Sequence, residues 1–193
     1  MPADTKTRIL AAATELYRRQ GMTGTGLKQI AELAKAPFGS IYHFFPGGKA
    51  ELTEAVVRSA GASYGDLVLG VFAACPDFPT GVKVGFELAA NNLEATGWID
   101  ACPIETIALE VANTDENLRI ATADVFTDWV DRGVAATASS GLPESVRREL
   151  ILGFVAALEG AFVLARAMRS KEPLLAAGET VLVAVEKALH DHA

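Results

Sequence analysis

The chain has 193 residues, half of them hydrophobic, with only eight prolines and scattered glycines, which supports a packed core and excludes a disordered or low-complexity chain. The formal net charge is −7, which taken whole argues against a nucleic-acid partner. The sign is uneven, however: residues 1–50 hold seven Lys/Arg and three acids, a net +4, whereas residues 51–193 hold ten and 21, a net −11. Such asymmetry suggests a basic, DNA-facing end on an acidic body.

In chain order, nearly every periodic segment has the helical period and none alternates convincingly at period two, so the expected fold is all-α with about nine helices. The first spans about 4–20, capped by Asp4 or Thr5, with Ile9, Ala13, Leu16 and Tyr17 inward and Gly21 as its stop. Thr25 is expected to cap the second, about 26–34. After the tight connection Lys35-Ala36-Pro37, Pro37 opens a third helix that turns Ile41 and Phe45 inward and Ser40, Tyr42 and His43 outward. Pro46-Gly47-Gly48 ends it. A fourth helix runs from Lys49 to about Ala74, where Gly61, Gly65 and Gly70 each cost about 1 kcal/mol relative to Ala. The fifth is expected over 81–96, with Thr80 as cap and Gly97 as stop. The sixth runs from Cys102-Pro103 to about Asn113, the seventh over 115–139, the eighth over 143–169, and the ninth from Pro173 to about 190.

The second and third helices have the layout of a helix-turn-helix, whose second helix enters a DNA major groove. Ala31, Ala34 and Gly39 allow the two helices to cross closely. Ser40, Tyr42 and His43 reach outward, flanked by the positive charges of Lys28 and Lys49. The domain division expected is therefore a DNA-binding head over 1–48 and a helical ligand-binding and dimerisation body over 49–193.

The signature Gly21, Thr25, Ile30-Ala31, Ala34, Gly39-Ser40-Ile41-Tyr42-His43, Phe45 and Lys49 resembles the head of TetR-family transcriptional regulators. The resemblance covers about 45 residues and implies that Thr25, Ser40, Tyr42 and Lys49 contact the DNA backbone while Phe38, Gly39 and His43 lie against bases. Two positions depart from the family pattern. Phe38 stands where a polar residue is usual, and either packs on a thymine methyl or staples itself to the second helix. Phe44 replaces a common His and is given no DNA role. The body segments Ala101-Cys102-Pro103-Ile104, Ala108-Leu109-Glu110, Leu158-Glu159-Gly160-Ala161 and Ala165-Arg166-Ala167-Met168-Arg169-Ser170 resemble a subgroup that includes repressors of multidrug-resistance genes responsive to small aromatic compounds such as flavonoids.

In the body, Gly153, Ala157, Ala161 and Ala165 form a small-residue stripe at spacing four, with a second short one at Ala156 and Gly160, and Leu175, Leu182 and Leu189 recur at spacing seven. Two such helices from each of two chains make a four-helix dimer bundle; an ordinary intrachain core is the alternative. A pocket for a planar aromatic or apolar effector is expected among Phe86, Asn91, Trp98, Cys102, Glu105, Phe126, Trp129, Phe154 and Phe162. Glu105 and Glu159 matter because an unpaired buried carboxylate is costly.

The expected function is a ligand-responsive repressor that binds a palindromic operator as a homodimer and is released by a small effector, in the cytoplasm, with no cofactor, metal, membrane or catalytic role. A carboxylate at bilayer depth, such as Glu159 at the centre of the apolar run 150–168, costs about 2.5–3.5 kcal/mol. Cys75 and Cys102 are far apart and form no CxxC pair. The competing readings are an architectural DNA-binding protein without sequence preference and a redox sensor based on Cys102.

Overall fold

The computed structural model describes residues 4–99 and 102–193; Ala101, the first residue of one family-like segment, lies outside them. Among the described residues there are nine α-helices and no strand: α1 (Thr5–Gln20), α2 (Leu27–Leu33), α3 (Gly39–Phe44), α4 (Lys49–Ala74), α5 (Phe78–Ala95), α6 (Pro103–Val111), α7 (Glu116–Ala136), α8 (Glu144–Met168) and α9 (Glu172–Asp191), with a short 3₁₀ turn at Ala138–Ser140. The chain is all-α, as its periodicity indicates.

The local signals account for most helix ends. Asp4 caps α1 by accepting from the Thr7 amide at 2.8 Å, and Gly21 ends it at φ 77°. Three expected boundaries need correction. Gly26, not Thr25, is the N-cap of α2, its amide donating to Gln29 Oε1 at 2.8 Å, because the Thr25 hydroxyl turns back to donate to the Gly21 carbonyl at 2.7 Å. Pro37 precedes α3 instead of opening it, its carbonyl accepting from the Ser40 amide at 2.9 Å. Asp77, not Thr80, caps α5, accepting from the Thr80 amide at 2.8 Å, which leaves Pro79 in the first turn where its missing N–H costs nothing.

The residues fall into two compact units. The first comprises the described residues up to Ser63 with Cys102–Val125: α1, α2, α3, the first part of α4, α6 and the first part of α7. Its core is Ile9, Ala13 and Tyr17 of α1, Ile30 and Ile41 of the helix-turn-helix, Phe45, Leu52, Val56, and Ile104 and Ile107 of α6, all buried. Burying each of the large aliphatic and aromatic members is worth about 1.5–3 kcal/mol. The Tyr17 hydroxyl and Thr53 Oγ1 lie 2.9 Å apart, tying α1 to α4, and Arg8 Nε donates to the Ala34 carbonyl at 3.1 Å, tying α1 to the turn before α3. Gly61 lets α4 approach α7, since a Cβ there would lie 2.5 Å from Val125 Cγ1.

The second unit runs from Tyr64 and includes Phe126–Ala193: the rest of α4, α5, the rest of α7, α8 and α9. Phe86, Leu93, Phe154, Leu158, Phe162, Leu174 and Val185 are at its centre. Gly178 admits α9 onto α5, since a Cβ there would meet the Phe86 side chain at 2.8 Å. By length and composition α8 could cross a membrane; in the folded unit one of its sides is core, carrying Ile151, Phe154, Leu158, Ala161, Phe162 and Ala165.

Candidate nucleic-acid interface and effector cavity

α3 is short and held from beneath by Ile41 and Phe45, both fully or almost fully buried. Its outer side is then fixed by helical geometry. Phe38 and Tyr42 are 43% and 49% exposed and meet edge to face, ring centroids 5.8 Å apart, as expected for neighbours four positions apart. His43 is exposed, its ring 4.8 Å from that of Phe44. Gly39 is exposed, and nothing lies within 4 Å of where its Cβ would be, so a bulky partner can approach the backbone there. Ser40 and Lys49 are half-buried at the rim, and Lys28 and Lys35 are exposed. Aromatic faces, one imidazole, hydroxyls and cations are thus accessible on and around α3, the inventory used for base-edge and phosphate contacts. Phe38 stacks on Tyr42 at this exposed side.

Thr25 is the exception among the expected contacts. It is 1% exposed, with its hydroxyl donating to Gly21 and accepting from Gln20 Nε2 at 3.2 Å. It braces the turn between α1 and α2 from inside, its hydroxyl engaged within the chain.

That turn has a second support that sequence reasoning missed. The Glu110 carboxylate of α6 accepts from the Met22 amide at 3.0 Å and from the Thr23 amide at 2.6 Å. Gln20 Nε2 donates to the Gly24 carbonyl at 2.9 Å, and Gln29 closes the start of α2. The Glu110 contact joins residues 87 and 88 positions apart in the chain, beyond the reach of any periodicity argument.

In the second unit, α4, α7 and α8 enclose an apolar cavity of about 40 Å³, walled by Tyr64, Phe72, Trp129, Phe154 and Leu158, with Glu159 on its edge. Glu159 Oε2 is shielded from solvent. A space of this size holds a few waters. Trp129 and Phe154 are the two expected ligand residues that line it; Phe126 packs edge to face on Trp129 at 5.5 Å. The other expected residues are elsewhere. Phe86 and Phe162 belong to the core. Asn91 is exposed and accepts from Lys171 Nζ at 3.5 Å. Trp98, at φ 66°, borders an open cleft at the start of α9 with Glu94 and Lys171. Cys102 and Glu105 belong to the first unit, Cys102 as a buried thiol at the N-cap of α6. Tyr64 and Phe72, absent from the expected set, complete the aromatic wall. Among the described residues no three His, Cys, Asp or Glu side chains converge as a metal site.

The expected dimer stripe also shifts. Ala161 and Ala165 are buried in their own chain, and Ala157, Leu182 and Leu189 pack against that core. The exposed apolar arc lies on the opposite side of α8: Leu152, Ala156, Gly160, Val163, Leu164 and Met168, with Gly153 within it. On α9, Leu175 and Val183 are exposed. Both sides of α8 are apolar, so spacing alone did not identify the side facing its own core.

A helix-turn-helix with an aromatic and basic reading edge, carried on the same chain as an all-helical unit with an apolar cavity, is the make-up of a DNA-binding transcriptional regulator. Residues 9–65 match the bacterial regulatory proteins of the tetR family, and residues 80–180 match the LmrA/YxaF-like transcriptional regulator C-terminal domain. The chain is 30% identical over 172 residues to the HTH-type transcriptional regulator LmrA of Bacillus subtilis (strain 168), spanning 89% of this chain and 92% of that protein. The fold is shared with the regulatory protein TetR from Rhodobacter sphaeroides at a TM-score of 0.81 and 20% identity, over 92% of this chain and 97% of that one. It is also shared with a cysteine mutant of the regulator CifR, solved with 26-base-pair operator DNA, at a TM-score of 0.72 and 22% identity, over 95% and 98% of the two chains. The chain belongs to the tetR family of bacterial transcriptional regulators, with an LmrA/YxaF-like C-terminal domain; its members are regulators, not enzymes.

Proposed function

We propose that this protein is a cytoplasmic, ligand-responsive repressor that reads a palindromic operator as a homodimer and leaves it when a small apolar or aromatic effector enters the cavity. The observation that carries the DNA half is the exposure of Phe38, Gly39, Tyr42 and His43 along one edge of α3, above the buried Ile41 and Phe45. In this reading Tyr42, Ser40, Lys28 and Lys49 hold phosphates, and Phe38, Gly39 and His43 face bases. The DNA-binding role falls to the first compact unit, which extends beyond the expected head over 1–48 to include the first part of α4, α6 and the first part of α7, and the effector and dimer roles fall to the second.

The exposed apolar arc of α8 with Leu175 and Val183 of α9 supports dimerisation through a four-helix bundle. Two heads then meet two half-sites one or more helical turns apart. An effector lowers DNA affinity by its differential affinity for the two states. α4 and α7 each contribute residues to both units, so displacing Phe72 or Trp129 acts on helices that also support the head.

Selection of duplexes from a random library by the purified protein at fixed salt tests the DNA reading. A two-fold symmetric consensus is the expected product. Enrichment of no sequence, with binding that simply follows salt, identifies an architectural protein instead. Screening uncharged planar aromatics for release of the selected duplex, with quenching of Trp129 as the second signal, tests the effector half.

A further inference from the structure

We infer that Glu110 is a positioning residue for operator recognition: from α6 it holds the turn that sets the helix-turn-helix, through the backbone amides of Met22 and Thr23. The inference rests on α3 being the reading helix and adds a residue from outside the DNA-binding motif.

Each carboxylate oxygen of Glu110 takes one amide, Oε1 the Met22 N–H at 3.0 Å and Oε2 the Thr23 N–H at 2.6 Å. Bonds from amides to an ionised carboxylate are about twice as strong as neutral ones, and a two-point contact fixes orientation as well as distance. The backbone has been cleared to receive it. A Cβ on residue 21 would fall on Glu110 Oε1, and Gly21 stands at φ 77°, where side chains are disfavoured. The grip passes on through short bonds: the Thr25 hydroxyl donates to Gly21, Gln20 Nε2 to Gly24, and the Gly26 amide to Gln29, where α2 begins. α2 in turn supplies Ile30 and Ala31 to the core beneath α3. The base of α6 is itself fixed by Ile104 and Ile107, both fully buried. Glu110 thus connects a packed helix to the backbone turn that leads into α2.

Charge and position predict opposite effects, which makes the role testable. Removing a negative charge from the head favours binding to phosphates in general. A positioning role predicts the reverse for the cognate sequence alone. Glu110→Gln keeps the length but replaces one acceptor by an NH₂ group aimed at an amide; Glu110→Ala removes both acceptors. Each is expected to weaken binding of the selected duplex about ten-fold, the scale of one lost charge-assisted bond. Random-sequence duplex should bind as tightly as before or more tightly, with thermal melting still cooperative. The Met22 and Thr23 amide resonances should move in a ¹H–¹⁵N spectrum of the free variants, while those of α8 and α9 stay in place.

Unchanged affinity for the selected duplex with displaced Met22 and Thr23 resonances overturns the inference, because the bonds would then exist without serving recognition. So do unmoved resonances, or equal losses on selected and random DNA. If the wild-type protein selects no sequence, the reading of α3 falls and this inference with it. Selection by the wild type with an indifferent Glu110→Gln removes the Glu110 role alone.

Discussion

Gly65 lies directly beneath Trp129: a Cβ on residue 65 would stand 2.9 Å from both Cδ1 and Nε1 of the indole. The glycine that looks like a weak point in α4 is therefore the seat of a large ring, and that ring is a wall of the apolar cavity. Gly65→Ala is expected to push the indole off its seat and to cost about 1–3 kcal/mol of stability, the usual penalty of overpacking. Chemical denaturation measures the cost, and a shifted Trp emission in the native variant reports the displaced ring. Effector response should change more than operator affinity.

His43 is exposed on α3 and is not part of the core. His43→Ala should reduce affinity for the selected duplex by about 1–3 kcal/mol, the range of a base-specific contact, and leave binding to random duplex nearly unchanged. Titrations of both DNAs at one salt concentration decide it; equal losses would assign His43 to phosphate binding.

Tyr17 gives the first unit an alkaline limit. Burial pushes its phenol above the ordinary value of 10.0, against the lowering effect of the Thr53 hydrogen bond and with a smaller push from Glu110. A raised folded-state value means that the folded chain holds the proton more tightly. Its contribution is therefore fully present below pH 10 and is lost as the pH rises through the folded value. Urea denaturation from pH 8 to pH 11 should show stability falling at the top of that range. Tyr17→Phe should flatten this decline and cost about 0.5–1.5 kcal/mol at neutral pH through the lost Thr53 bond.

The outer arc of α8 sets the oligomeric prediction. Val163 is 45% exposed in the single chain. Under the proposed four-helix dimer, Val163→Glu places a charge in the centre of the arc that a second copy covers, and should leave a monomer in sedimentation experiments with helicity retained. Ala161→Glu, by contrast, drives a carboxylate into the chain's own core and should unfold the second unit.

Sequence and structure agree where the physics is local. Among the described residues the nine helices, the inward Ile41 and Phe45 and the outward Tyr42 and His43 follow from period and punctuation, and the structure departs from them by a few residues. Thr25 does not cap α2 because its hydroxyl donates back to the Gly21 carbonyl and accepts from Gln20, while Gln29 takes the Gly26 amide where the helix begins. The α8 stripe runs from the exposed Gly153 to the buried Ala161 and Ala165; both sides of the helix are apolar, and what separates them is the position of α5 and α9, a tertiary fact. The cavity wall was half legible. Aromatic type identifies candidates, but Phe86 and Phe154, 5.1 Å apart, differ only in that Phe154 borders the empty space. Glu110 could not have been found from spacing, since its partners are backbone amides of residues with no special side chain.

Where an aromatic effector takes the small volume between Phe72, Trp129 and Phe154, as proposed, sensitivity becomes an adjustable quantity. A ligand that must wait for the rings to part binds with an apparent affinity reduced by the fraction of time they are apart. If that fraction is about one in a hundred, the dose needed to release DNA is about a hundred-fold above what the contacts alone would require. Substitutions that prop the rings open would lower the induction threshold without touching the effector or the operator, so related chains can set different thresholds for the same compound through the stiffness of three aromatic side chains.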